Sequence, residues 1–292
     1  MSEPNIYRVL NPYDDSVVGE VTESSREDVE NAIAHAAAVR ETMADLTAYQ
    51  RGVILDKASE LIAAQVELLA KLMTQECGKP IRYARGEVKR AVETFRFAAD
   101  EARRLHGETI PLDAAQTGAG KIGYFMRVPV GVIAAITPFN FPLNLVAHKV
   151  APAIAAGCPI VLKPNPQTPL TSLRLAEILT EAGLPGGAFQ IVIGGADVGE
   201  WLITNPQIAM ISFTGSVGVA QAISKNAGIR RTTFELGGNA AMIIDETADL
   251  DGAVEKAAVG AFAYSGQVCI SVQRVYVQRS KYDAFKQAFL ER

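Results

Sequence analysis

Cys269 lies in the string Tyr264-Ser265-Gly266-Gln267-Val268-Cys269-Ile270, between a helix-like run and a strand-like one. Two groups upstream match it: Asn140, in Pro138-Phe139-Asn140-Phe141-Pro142, and Glu235, in Phe234-Glu235-Leu236-Gly237-Gly238. A thiol, a side-chain amide and a carboxylate are what is needed to attack an aldehyde carbonyl, hold the resulting oxyanion and later activate water against a thioester.

Each of the three also has an ordinary reading. Cysteine is often a small buried hydrophobe, and Cys77 and Cys158 are read that way. Cys269 differs because Ser265, Gly266 and Gln267 precede it at a helix-to-loop junction, where small residues leave a substrate room to approach. Asn140 between two prolines could be a turn residue, but it follows a buried strand, where its amide could join the Cys269 backbone N–H around an oxyanion. Glu235 ends an apolar strand, and its ordinary role would be an ion pair with Arg230 or Arg231. Two further signals are weaker. Phe213-Thr214-Gly215-Ser216-Val217-Gly218 opens a helix, whose first amides can face a pyrophosphate, although Gly-Ser is also a common helix cap. Lys163, after a strand, is either a ribose or phosphate contact or a solvated strand-end lysine.

The elements that must position these residues follow from periodicity. Ser24-x-x-Glu27 reads as a capping box opening a helix through Val29, Ile33 and Ala36. Helical rhythm runs through Val53 to Ile62 and Leu68 to Leu72, stops at Gly78-Lys79-Pro80, and resumes from Val88 to Leu105. Ile110 to Val130, with Gly118 and Gly120 in its middle, reads as an exposed hairpin of the kind that reaches another subunit. From Val130 strands and helices alternate: strand to Ile136, helix Leu143 to Ala155, strand Ile160 to Lys163, helix Ser172 to Ala182, strand Phe189 to Ile193. Helix Val198 to Thr204, strand Ile208 to Phe213, helix Val217 to Ala227 and strand Thr232 to Leu236 continue the run. This order predicts an α/β fold, an open parallel sheet with ligands beyond the carboxyl ends of its strands. Residues 1–236 are expected to form N-terminal helices plus this dinucleotide-binding domain, with the 110–130 hairpin attached. Residues 237–292 begin a second α/β unit: strand Ala241 to Ile244, helix Leu250 to Ala263, strand Arg274 to Gln278 and helix Lys281 to Glu291.

Composition narrows the partners. The 292 residues are 49% hydrophobic and 21% charged, with a net charge of −4, so no basic footprint for nucleic acid or an anionic membrane is expected. The three cysteines are far apart and lack metal-ligand spacing, so no metal site is expected and reduced thiols in a cytoplasmic protein are. The polar start gives no sign of a secretory signal. Val128 to Ala147 carries no charge, but Pro138 and Pro142 break it into strand, turn and helix rather than a membrane span.

The ordered motifs Pro138-Phe139-Asn140-Phe141-Pro142, Phe234-Glu235-Leu236-Gly237-Gly238 and Gly266-Gln267-Val268-Cys269 resemble those of NAD(P)-dependent aldehyde dehydrogenases, from about Asn11 to the last residue. The resemblance implies a homo-oligomeric enzyme that oxidises a small-molecule aldehyde to a carboxylate, with Cys269 as nucleophile, Asn140 as oxyanion donor, Glu235 as general base and Lys149 in a proton relay. It also implies NAD or NADP contacts at Ile136, Thr137, Pro138, Phe139, Lys163, Gly195, Gly199, Gly215, Ser216 and Leu236. Pro166 stands where NAD-preferring members carry a glutamate, which leaves room for NADP; Ala220 replaces a usual glycine of the Gly215 loop. Arg103 and Arg104 resemble an arginine position of relatives acting on anionic aldehydes, with a solvated helix end as the ordinary reading. The pattern is similar to the lactaldehyde and non-phosphorylating glyceraldehyde-3-phosphate branch. Members continue past Arg292 through a Glu-x-Phe-Gly-Pro motif and a C-terminal strand that this sequence lacks, so it reads as C-terminally truncated. A catalytically inactive cofactor-binding fragment and a coenzyme-A-acylating enzyme are the alternatives. The second ranks lower because Glu235 supplies a water-activating base.

Overall fold

The computed structural model describes residues 5–292. The chain opens with an antiparallel hairpin, β1 (Ile6–Leu10) and β2 (Val17–Thr22), which sequence periodicity did not reveal. Its strands are mostly exposed, and only Val9 and Val21 are buried, so the apolar alternation that marks a strand is weak. Helix α1 (Arg26–Ala38) follows, with Val29, Ile33 and Ala36 inward as expected. Its capping box lies one residue later than Ser24 and Glu27: Ser25 caps Asp28 and Asp28 returns the bond. Ser24 is occupied elsewhere, exchanging bonds with the backbone of Ile193.

Helices α2 (Arg40–Asp45), α3 (Ala48–Ala64), α4 (Val66–Cys77) and α5 (Ile81–Arg104) come next. Gly78 ends α4 in the left-handed conformation open to glycine, at φ 67°. Helix α5 begins seven residues before the expected Val88, because Pro80 serves as its N-cap and needs no donor there; the polar run Arg82 to Gly86 hid its first turns. A hairpin is present but not over the expected Ile110 to Val130: β3 (Glu108–Ile110) lies before most of that range and pairs with β4 (Gly123–Phe125), residues 126–130 are not strand, and 3-10 turns fill the space between the arms.

The α/β run then matches expectation closely: β5 (Val132–Ile136), α6 (Asn144–Ala155), β6 (Ile160–Lys163), α7 (Leu170–Glu181), β7 (Phe189–Ile191), α8 (Ala196–Thr204), β8 (Ile208–Gly215), α9 (Val217–Ala227) and β9 (Arg231–Leu236). The sheet order is β7-β6-β5-β8-β9, with β5 parallel to β6 and β8, and β6 parallel to β7. Every residue of β5 and β6 is buried, as a parallel sheet covered on both faces requires. On one face α3, α5, α6 and α7 pack into a core around Phe95, Leu143, Ile154, Leu162 and Leu179.

The chain separates into two compact units. The first holds residues up to Thr214 together with Ala222–Thr233, and the second Gly215–Gln221 with Phe234–Arg292. In the second, β10 (Ala240–Ile244) pairs in parallel with β11 (Val272–Val277), and α10 (Leu250–Phe262) and α11 (Arg279–Glu291) cover them through Val254, Ala257 and Phe285.

Candidate active site

In the second unit the backbone from Tyr264 to Gly266 takes three consecutive left-handed residues, φ 50°, 56° and 74°. For Tyr264 and Ser265 that conformation is costly, about 1 kcal/mol or more each. It ends α10 abruptly: Gln267 N donates to Tyr264 O, Val268 N to Gly266 O and Ser271 N to Val268 O. Ser271, itself buried, donates its hydroxyl to Ala261 O at 3.3 Å and ties the far side of the turn. Gly266 passes Ala261 so closely that a Cβ would sit 3.1 Å from its carbonyl oxygen. Cys269 therefore stands exposed on a fixed loop. The Gly237-Gly238 segment runs beside it, and a Cβ on Gly238 would lie 3.3 Å from Cys269 O. Glu235 is exposed at the end of β9, two residues before this glycine pair. Among the described residues it forms no ion pair with Arg230 or Arg231; Arg230 spends its donors on the carbonyls of Ile203, Asn205, Asn226 and Ala227.

The other two cysteines have different settings. Cys158 is buried, and burial pushes its thiol pKa up. Cys77, half-buried at the end of α4, donates its thiol to Met73 O.

In the first unit Asn140 is half-buried in the turn between β5 and α6. Two turns along α6, buried Lys149 donates its ammonium to Ser212 Oγ on β8 at 3.0 Å. Ser212 carried no sequence signal, because only the parallel pairing of β5 with β8 brings it there. At the next strand end the buried Lys163 donates to Gly194 O at 2.6 Å. Burial lowers its ammonium pKa to about 8. Gly199 leaves a Cβ-sized space 3.5 Å from Lys163 Cε and 3.9 Å from Ile136 Cδ1, so Ile136, Lys163, Gly199 and the Gly194-Gly195 start of α8 converge. Thr137 N is fixed to Lys163 O at 3.2 Å, while Pro138 and Phe139 follow it half-buried. The β1–β2 hairpin and the residue after it add two groups that the sequence did not point to: Glu23 accepts from the Asn5 side chain and from Tyr7, and these bonds, with one from the Gly195 N–H, hold its carboxyl below its ordinary range.

Gly215 and Ser216 belong to the second unit, where Ser216 caps α9 through its carbonyl to Ala220 N at 3.1 Å. No atom lies within 4 Å of a Cβ built on Gly218, so this helix start is open. Leu236 is half-buried beside Glu235. A buried cation whose hydrogen-bond acceptors are both carbonyls, beside small residues at one helix start, fits a dinucleotide's hydroxyls or phosphates. Pro166 lies in the half-buried loop after β6, where Gln167 N bonds Asn165 Oδ1.

Arg103 and Arg104 are placed differently. Arg103 pairs with Asp56 at 2.5 Å and Arg104 with Glu101 at 3.3 Å, both at the exposed end of α5. Their charges are engaged by their own neighbourhood, which is the solvated helix-end reading.

The aldehyde dehydrogenase family model matches residues 1–292, and the chain belongs to that family. It is 44% identical to a 3-sulfolactaldehyde dehydrogenase of Priestia megaterium over 95% of this chain and 58% of that protein. A lactaldehyde dehydrogenase of Methanococcus aeolicus is 41% identical over 97% of the chain and 61% of its own length. Among solved structures, a glyceraldehyde-3-phosphate dehydrogenase of Methanocaldococcus jannaschii complexed with NADP superposes with a TM-score of 0.93 at 38% identity, covering 100% of this chain and 63% of that one. The chain thus spans about three fifths of the relatives it matches.

Proposed function

We propose that this family member oxidises a small aldehyde to its carboxylate. The observation that carries the reading is Cys269, exposed on a strained loop beside the glycine pair that follows Glu235. In this reading Cys269 Sγ attacks the carbonyl carbon, and the oxyanion is held by the Asn140 amide and the Cys269 backbone N–H. NAD or NADP, held by Ile136 to Phe139, Lys163, Gly195, Gly199, Gly215, Ser216 and Leu236, supplies the hydride acceptor. The adduct on Cys269, once oxidised, is a thioester; Glu235 takes a proton from water, which attacks the acyl carbon, and Cys269 leaves as thiolate. Lys149 with Ser212 is positioned to relay a proton on α6. NADP is proposed as a full partner of NAD, because Pro166 carries no charge to repel a 2′-phosphate.

The similarity to sulfolactaldehyde and lactaldehyde dehydrogenases supports a short, 2-hydroxylated or anionic aldehyde as substrate. We assign the domains as residues 1–236 and 237–292, and a cytoplasmic, homo-oligomeric protein. The three free cysteines support a reducing compartment, and the exposed Ile122, Tyr124, Met126 and Val128 of the hairpin region support a partner subunit. No helix among the described residues is long and apolar enough to cross a membrane.

The test is a panel of lactaldehyde, 3-sulfolactaldehyde and succinate semialdehyde with each dinucleotide, in the wild type and in Glu235→Gln. The wild type should turn over, and Glu235→Gln should release about one equivalent of reduced dinucleotide per active site and then slow at least tenfold. An unchanged steady-state rate in the variant would remove Glu235 from the deacylation step.

A further inference from the structure

Helix α6 has no side-chain cap of its own: its N-cap is Leu143, which offers none. The missing acceptor comes from α5. Glu87, buried, accepts from Leu143 N at 2.9 Å and Asn144 N at 3.0 Å through one carboxylate oxygen, and its other oxygen accepts from the buried ammonium of Lys79. That ammonium also stands 3.7 Å from the centre of the Phe141 ring. Two turns further along α5, the Thr94 hydroxyl lies 3.1 Å from Asn144 Oδ1. The residues flanking Asn140 are therefore gripped twice, at the ring of Phe141 and at the backbone of Leu143 and Asn144. A buried ion pair is a poor source of stability compared with apolar side chains of the same volume. Its geometric consequence is larger: a negative charge at a helix N-terminus fixes where that helix begins.

We propose that the Lys79–Glu87 pair is a positioning device for Asn140, holding the 139–143 turn so that the amide is aimed before substrate arrives. This rests on the reading of Asn140 as oxyanion donor. A displacement of about 1 Å at such a donor costs on the order of 10²-fold in rate, so the clamp should act on kcat and leave KM nearly alone.

The variant to make is Lys79→Met with Glu87→Gln, which removes both charges and strands neither. In the full protein it should lose about 10²-fold in kcat with KM changed less than about threefold. Asn140→Ala alone should lose about 10²- to 10³-fold. Adding the Lys79 and Glu87 changes to Asn140→Ala should cost less than about threefold more, because the group they position is already gone. A further loss as large as in the wild-type background, or an undiminished kcat in the variant that keeps Asn140, would overturn the inference and leave the reading of Asn140 intact. Unchanged turnover in Asn140→Ala would overturn both.

Two measurements on the 292-residue chain do not depend on turnover. The Asn140 side-chain amide should be rigid by NMR in the wild type and fall below an order parameter of about 0.6 in the double variant; equal order in both overturns the proposal. Should the variant not fold, hydrogen exchange in the unmodified chain decides. Protection of the Leu143 and Asn144 amides supports the clamp, and exchange at the rate of an open turn overturns it.

Discussion

Cys269 and Cys158 are the same chemical group in opposite surroundings. One is exposed on a turn, and the other is buried with its thiol pKa raised. Iodoacetamide should therefore alkylate Cys269 at least tenfold faster than Cys158 at pH 7, with peptide mass spectrometry reading the two rates. In the full protein Cys269→Ala should lower aldehyde oxidation at least 10³-fold and leave dinucleotide binding within about threefold, while Cys158→Ala should leave both within about threefold. Equal alkylation of both cysteines would contradict the exposure on which the nucleophile assignment depends. Lys163 carries a pH prediction. Burial lowers its pKa to about 8, so the ammonium is charged below that pH and loses its proton as pH rises through it. Affinity for NADP should fall several-fold between pH 7 and 9 in a fluorescence titration, and Lys163→Met should bind weakly with a flat profile. At this scale the sequence was most legible where a motif is contiguous. Asn140, Glu235 and Cys269 each stand out from four or five adjacent residues. Ser212, Glu76 and Glu87 do not, since their roles are fixed by partners 56 to 95 positions away.

Among the elements, α7 shares the device seen at α6. Its N-cap, Pro169, offers no side chain, and Glu76 on α4 accepts from Leu170 N at 2.9 Å and from the amide and hydroxyl of Thr171. Burial outweighs these donors and the carboxyl pKa is pushed up to about 7. Because the folded value lies above the unfolded one of 4.5, the stability it contributes is fully present below pH 4.5 and is lost as pH rises through 7. A shift of that size corresponds to about 3 kcal/mol. Between pH 5 and 8 the melting temperature of the wild type should fall by roughly 5 °C more than that of Glu76→Gln, measured by calorimetry. Parallel curves for the two proteins would show that the carboxyl is not the titrating group. Strand and helix types from Val132 to Leu236 were legible because buried parallel strands are unbroken apolar runs and short turns separate them. The β1–β2 hairpin and the first turns of α5 were not, because exposed elements carry little apolar periodicity.

Over the whole molecule the two units differ in what holds them. In the second, the two-stranded β10–β11 sheet rests on a small cluster around Phe285, and Ile243, Phe262, Ile270 and Leu290 remain exposed. Two strands with one covered face are marginal. Amides of β10 and β11 should lose hydrogen-exchange protection at lower denaturant than those of β5 and β6, by about 1 M urea or more, and light scattering should show the 292-residue chain self-associating as concentration rises. Coincident exchange of both strand pairs would mean that the units unfold together.

The caps of α6 and α7 also impose an order in time. Glu87 precedes the amides it binds by 56 and 57 positions, and Glu76 precedes Leu170 by 94. During synthesis each carboxylate leaves the ribosome before the helix it caps exists, and at about 5–20 residues per second it waits for several seconds. Through that interval Lys79 and Glu87 have each other as partners, being only eight positions apart. The hydrogen bonds that Glu76 accepts come from Leu170 and Thr171, so the later of the two caps has no such donor until both residues emerge.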